Sequence, residues 1–190
     1  MKHLKTSRAP MSHKTFVPKA PENTETIGGT VTVQINSKTM NVPFGTTILE
    51  ACQMADIHIP TLCNHDDLGI GGHCRLCLVD VEGMRTLQAS CAFPITAPVK
   101  VKTSTIAVRK ARKHIMELLL SEHVGDCYAC IKNGNCELQT LAKEMGVDSF
   151  TFGHETVSKF DVDRSSFSVV RDMDKCVNCR RCVRTCIDLQ

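Results

Sequence analysis

From Thr30 to Lys102 the apolar positions keep a two-residue period, switch to helical spacing, and return to the two-residue period. Val31, Val33 and Ile35 alternate with polar residues, Asn36-Ser37-Lys38 offers a turn, and Met40 to Phe44 resumes an extended pattern, which predicts a β-hairpin. Thr46 or Thr47 can cap a helix in which Ile48, Leu49, Ala51, Cys52, Met54 and Ala55 share a face, ending before Pro60. Leu78 to Val81 and Thr86 to Ala89 flank a turn at Glu82-Gly83, and Val99 to Lys102 is a further extended run. From Thr105 to about His123 the pattern becomes Ile106, Val108, Ala111, Ile115, Leu118 and Leu119, an amphipathic helix with Lys and Arg on its other face. A helix from about Glu137 to Met145, a polar linker from Gly146 to Ser165 and a strand at Phe167 to Arg171 follow. Strands and helices in this order predict an α+β fold. There is no repeat at a constant period.

Composition changes this picture at one point: 12 of the 190 residues are cysteine. That is about three times the usual share. Disulfides belong mainly to secreted chains, but Met1 to Pro21 has no apolar signal region and no segment reaches the roughly 18 apolar residues of a membrane span. A soluble protein with free thiols in a reducing compartment is expected, cytoplasmic or, alternatively, in a hydrogenosome or mitochondrial matrix. The net charge of +3 comes largely from Lys2, Lys5, Arg8, Lys14 and Lys19. Residues 1–29 read as a basic disordered arm, since Pro10 and Pro18 and the lack of an apolar face argue against a presequence. One Tyr, no Trp and no basic face interleaved with aromatics leave little for nucleic acid.

Eleven of the cysteines fall into three groups. Cys63, Cys74, Cys77 and Cys91 run C-x10-C-x2-C-x13-C. Four thiolates suit zinc or an iron–sulfur cluster. A zinc ribbon supplies two close pairs, whereas only the middle two cysteines here form a CxxC, which favours 2Fe-2S. Gly69, Gly71 and Gly72 let the backbone turn tightly and aim N–H groups at sulfur. In the second group Cys127, Cys130 and Cys136 leave a four-iron cluster one ligand short. His123, at the predicted helix end, is either the fourth ligand or a solvated helix cap, and spacing leaves both open. The third, Cys176, Cys179, Cys182 and Cys186, is the C-x2-C-x2-C-x3-C run of 4Fe-4S ferredoxins. In two-cluster ferredoxins the fourth cysteine serves the other cluster, so Cys186 closes this site or joins one completed by residues beyond Gln190. Cys52, on the apolar helix face, reads as a small buried hydrophobe. Arg75, Arg180, Arg181 and Arg184 lie beside ligands, where they would raise potentials, guide an acidic partner, or be solvated.

With these groups in this order, and through IPTLC, CRLCLVDVEG, SCAFP, MELLLSEH, DCYAC, GNCELQ and RDMDKCVNCRRCVRTC, the chain from about Thr30 to Gln190 resembles a known region. It is the N-terminal electron-input region shared by modular NAD(P)-linked FeFe hydrogenases, the large iron–sulfur subunit of complex I and NAD-linked formate dehydrogenases. The resemblance implies a ubiquitin-like β-grasp 2Fe-2S domain at 30–104, a helical 4Fe-4S module at 105–146 with His123 as ligand beside its three cysteines, and a linker plus the first half of a bacterial-ferredoxin-like domain at 147–190. It leaves Cys52 unassigned. VEGMRTLQASCAFP and CRRCVRTC look most like the hydrogenases, while Val124 stands where the family commonly has proline. The implied function is an electron relay with no catalytic centre in these residues. The implied partners are a flavin-bearing NAD(P)H-oxidising subunit, a small thioredoxin-like 2Fe-2S subunit and, as an alternative donor, ferredoxin. A zinc-bound structural module is the competing class, and a CYAC thiol oxidoreductase lacks the βαβ context it needs.

Overall fold

The computed structural model describes residues 29–124, 127–147, 152 and 160–188. Nearly all of the predicted arm and most of the linker lie outside them. The predicted hairpin is formed by β1 (Thr30–Ile35) and β2 (Lys38–Pro43), turning at Asn36 with φ 54°. Asparagine tolerates that left-handed conformation better than most residues. Helix α1 (Ile48–Met54) starts on a capping box: Thr47 Oγ1 accepts from Glu50 N at 3.2 Å while Thr47 N donates to Glu50 Oε2 at 2.7 Å. Its buried face is Ile48, Leu49, Ala51 and Cys52. Then follow β3 (Leu78–Val81), β4 (Gln88–Ala89) and β5 (Val99–Lys102).

Among the described residues these strands make one mixed sheet, ordered β2-β1-β5-β3-β4, in which β1 and β5 run parallel and the other pairs antiparallel. Val33, Ile35, Val42, Val79, Val81 and Val101 point from it into a core shared with α1. Together with α2 (Ile106–Glu122), α3 (Glu137–Glu144) and α4 (Arg181–Asp188), the chain is α+β. A second core joins Leu62 and Leu76 of the cysteine loop to Met116 of α2 and to Leu138, Leu141 and Ala142 of α3. Among the described residues no helix is long and apolar enough to cross a membrane.

Three expectations need correction. β4 is two residues long, not four. No strand forms at Phe167–Arg171, where Phe167, Val169 and Val170 are exposed and, among the described residues, the pairing is a single bridge between Asp163 and Arg171. A strand needs a partner for its N–H and C=O groups, and alternation alone does not supply one. Helix α2 buries part of the expected face, with Val108 buried and Ile115 and Leu119 packed on the second core, but Ile106 and Leu118 are exposed and Arg112, Met116 and Glu117 are buried instead.

Candidate metal centres

The loop after α1 carries Cys63, Cys74 and Cys77, and Cys91 sits in the 3-10 turn Ser90–Ala92 that follows β4. All four are buried, between 1 and 6% exposed. They meet as two pairs. The Cys77 and Cys91 sulfurs share a hydrogen bond at 3.4 Å, and those of Cys63 and Cys74 share a second. Within each pair one sulfur takes the charge. The Cys74 thiol holds Cys63 down at about 5 against the opposing effect of burial, and Cys74 is itself pushed up by that bond and by burial. Likewise the bond with Cys91 holds Cys77 at about 6, and Cys91 is pushed up.

Backbone N–H groups complete the cradle: His73 and Cys74 at the Cys63 sulfur, Leu76 at Cys74, Cys91 at Cys77 and Gly72 at Cys91. Positive φ at Gly72 (65°) and Arg75 (56°) turns the chain between these donors. The Ser90 hydroxyl, wholly buried, also favours the Cys77 thiolate. This donor set fits an anionic iron–sulfur centre. Among the described residues no group of three or more His, Cys, Asp or Glu side chains is placed to hold a single metal ion. Four thiols gathered as two close pairs could hold a two-iron cluster.

Two arginines reach this loop from outside it. Arg112 of α2, 9% exposed, donates to Leu78 O from Nε at 3.1 Å and from Nη2 at 2.6 Å. Burial lowers its pKa, and negative charge on the Cys77 and Cys52 sulfurs acts in the opposite sense. Arg184 of α4 donates to the carbonyls of Cys63 and Gly69. Sequence reading placed Arg112 on a solvated face and missed it; the available signal was its position four residues from both Val108 and Met116. Cys52 is fully buried, faces the core, and is pushed up to about 11 by burial.

In the second group, His123 is the C-cap of α2, and it lines one cavity with Cys127, Cys130 and Cys136. The structure thus brings the lone histidine to the three cysteines. Successive turns wind the loop, with Asn133 N on Cys130 O at 3.0 Å and Asn135 N on Lys132 O at 2.9 Å. Gln139 of α3 closes it, accepting from Gly134 N and donating to Asn133 Oδ1, both at 3.0 Å. Lys175 lines the same cavity and donates to Val124 O at 2.9 Å. In the third group, Cys176 and Cys179 are partly exposed on a loop with positive φ at Asn178 and Arg180, while Cys182 and Cys186 stand four apart, and exposed, on α4. Among the described residues a Cβ at Gly69 or Gly72 would meet nothing within 4 Å, so the close approach resides at Gly71, and Gly72 contributes its positive φ.

Residues 28–106 match the 2Fe-2S iron-sulfur cluster binding domain family, and residues 112–150 match the iron-sulfur binding region of NADH-ubiquinone oxidoreductase-G. The crystal structure of an NAD+-reducing NiFe hydrogenase in the H2-reduced state aligns with a TM-score of 0.76 at 31% identity, covering 84% of this chain and 67% of the other. The chain belongs to the iron–sulfur family shared by NAD(P)-linked hydrogenases and complex I. The NADP-reducing hydrogenase subunit HndD of Solidesulfovibrio fructosivorans is 46% identical over 84% of this chain and 28% of its own length. The mitochondrial NADH-ubiquinone oxidoreductase 78 kDa subunit of Candida albicans is 39% identical over 81% of this chain and 22% of its own length. This chain therefore spans about a quarter of the curated relatives it matches. It carries a 2Fe-2S binding domain and a 4Fe-4S binding region, and the third cysteine group lies beyond both matched stretches.

Proposed function

We propose that this chain is an iron–sulfur electron relay, passing single electrons between an NAD(P)H-oxidising flavin subunit, or a ferredoxin, and a hydrogenase-type catalytic site. One observation carries the reading: a cradle of buried thiol pairs and convergent N–H groups stands on the same packed frame as two further cysteine-based donor sets. Cys63, Cys74, Cys77 and Cys91 are assigned to a 2Fe-2S cluster, and His123, Cys127, Cys130 and Cys136 to a 4Fe-4S cluster. Cys176, Cys179 and Cys182 are assigned to a second 4Fe-4S cluster, with Cys186 completing it or joining a neighbouring one.

Bound clusters supply reversible one-electron redox chemistry. The chain's residues fix the sulfurs in place, exclude water from the first site and balance its negative charge with N–H groups and the Arg112 guanidinium. No side chain is assigned a catalytic role. The first unit is read as a β-grasp domain; its sheet order, with a central parallel β1–β5 pair and α1 packed on one face, supports that. The higher identity to the hydrogenase subunit favours a hydrogenase over complex I as the enzyme served.

Protein purified anaerobically and reduced is expected to show a 2Fe-2S resonance that disappears in Cys74→Ser and Cys77→Ser and persists in Cys52→Ser. His123→Ala should lose iron from one four-iron cluster on gel filtration, and His123→Cys should retain it at lower potential because a thiolate adds negative charge. A resonance surviving in both cysteine variants, or colourless protein holding zinc, would overturn the reading.

A further inference from the structure

Arg184 lies midway between Cys182 and Cys186 on α4, yet it does not share that helix's exposure. It is 8% exposed, whereas its neighbour Val183 is 52% exposed. Its side chain leaves the third cysteine group and enters the loop of the first. Nη1 donates to Cys63 O at 2.7 Å, and Nη2 donates to Gly69 O. Gly71 makes the room: a Cβ there would stand 2.5 Å from Nη1 and 3.1 Å from Cys63 Sγ. The guanidinium and a candidate ligand sulfur therefore flank the same glycine.

Among the described residues Arg184 has no carboxylate partner; its acceptors are two neutral carbonyls. Its helix neighbour Arg181, by contrast, is paired with Glu137 at 2.9 Å. A buried cation without a counter-ion is costly unless something nearby is negative. A four-thiolate iron–sulfur centre is negative and gains a further negative charge on reduction, so a fixed cation beside it favours the reduced form.

We propose that Arg184 is a positioning residue of the first centre: reaching over from the helix of the third cysteine group, it ties the Cys63 and Gly69 carbonyls together, holds the 63–71 loop closed and raises the reduction potential of the site. This rests on the assignment of Cys63, Cys74, Cys77 and Cys91 to 2Fe-2S. It makes the first centre dependent on the fold of the third, since the tie exists only while α4 is seated.

The test is a potentiometric titration of the 2Fe-2S resonance in the intact chain, purified anaerobically, as parent, Arg184→Gln, Arg184→Lys and Val183→Gln, with amide exchange followed across 63–71. Arg184→Gln is expected to lower the potential and speed exchange in the loop, Arg184→Lys to fall between it and the parent, and Val183→Gln to match the parent. Selective loss of the 2Fe-2S signal from Arg184→Gln, with four-iron content retained, also supports the loop-holding role. A parent-like potential in Arg184→Gln overturns the proposal, as does loss of all iron from both arginine variants, which marks a general folding residue. Cys74→Ser is titrated alongside. A resonance persisting there removes the underlying assignment and this proposal with it, whereas a silent Cys74→Ser beside an unshifted Arg184→Gln removes the proposal alone.

Discussion

The first and third cysteine groups use the same donor chemistry in opposite settings. Cys63, Cys74, Cys77 and Cys91 are buried at the edge of a five-stranded sheet with its own core. Cys182 and Cys186 are exposed, as are Val183 and Ile187 on the same helix and Phe167, Val169 and Val170 earlier in the chain. The first group can be shaped by the chain alone, because burying the sheet's apolar face already fixes the loop ends. The third group owns little core. It is seated by what it borrows: Val177 and Cys179 against the second core, Arg181 on Glu137, Lys175 on Val124 and Arg184 on the first loop.

Iron removal should break the two regions apart most strongly. Metal binding is folding free energy where no preformed site exists. Stripping the clusters is expected to leave slow amide exchange in β1 and β5 and to bring residues 127–136 and 176–188 close to open-chain rates. Equal loss of protection in the sheet would show that the first region is no more self-sufficient than the third.

Next in size is Leu76→Ala, about 2–5 kcal/mol for a fully buried leucine. Leu76 lies between Arg75 and Cys77 and packs in the second core. Its truncation should therefore speed iron loss from both the first and second centres. Ile35→Ala, in the first core, should cost a similar amount in denaturant titration and spare the second centre. Identical iron-release profiles for the two variants would mean that the cores are not distinct.

The same contrast governs what could be read from the sequence. The hairpin and α1 were legible because Val31, Val33, Ile35 and the Thr47 cap state a local rule that tertiary packing then obeys. The gathering of His123 with Cys127, Cys130 and Cys136 was open on spacing and came from the family resemblance; the four line one cavity. Phe167–Arg171 misled because its alternation has no partner strand. Arg112 and Arg184 were hidden for a different reason. Periodicity places an arginine on the polar face by default, and only the tertiary approach of Leu78 O, Cys63 O and Gly69 O gives each buried guanidinium its acceptors.

Cys52 sharpens the comparison from within the first region, as a cysteine that is buried and not assigned as a ligand. Its ordinary value near 9 rises to about 11 in the fold. The unfolded chain then loses its proton first, so stability is fully present below pH 9 and declines as pH climbs through 11. Relative to Cys52→Ala, the parent should lose on the order of 2 kcal/mol across that window. Denaturant midpoints of the two proteins at pH 8 and pH 11 check this, and parallel curves would show that Cys52 does not ionise against burial.

The smallest expected effect tests how the third region is seated. Arg181 Nη1 donates to both oxygens of Glu137 at 3.0 and 2.9 Å, and the Glu137 side chain is 61% exposed. Such a pair contributes about 0.2–1 kcal/mol. Glu137 also opens α3, where its charge meets the helix N-terminus, so Glu137→Gln removes two modest interactions together. The expected loss is about 0.5–1.5 kcal/mol, read as faster amide exchange in α4 at low salt. Half-molar salt should erase most of the difference, because screening shortens the reach of exposed charges to a few ångströms. The first loop should respond less than α4, since Arg184 meets it through neutral carbonyls in a buried position that salt screens far less. If Glu137→Gln instead loosens residues 63–71 as much as α4, the surface pair seats the helix and the Arg184 tie merely follows it.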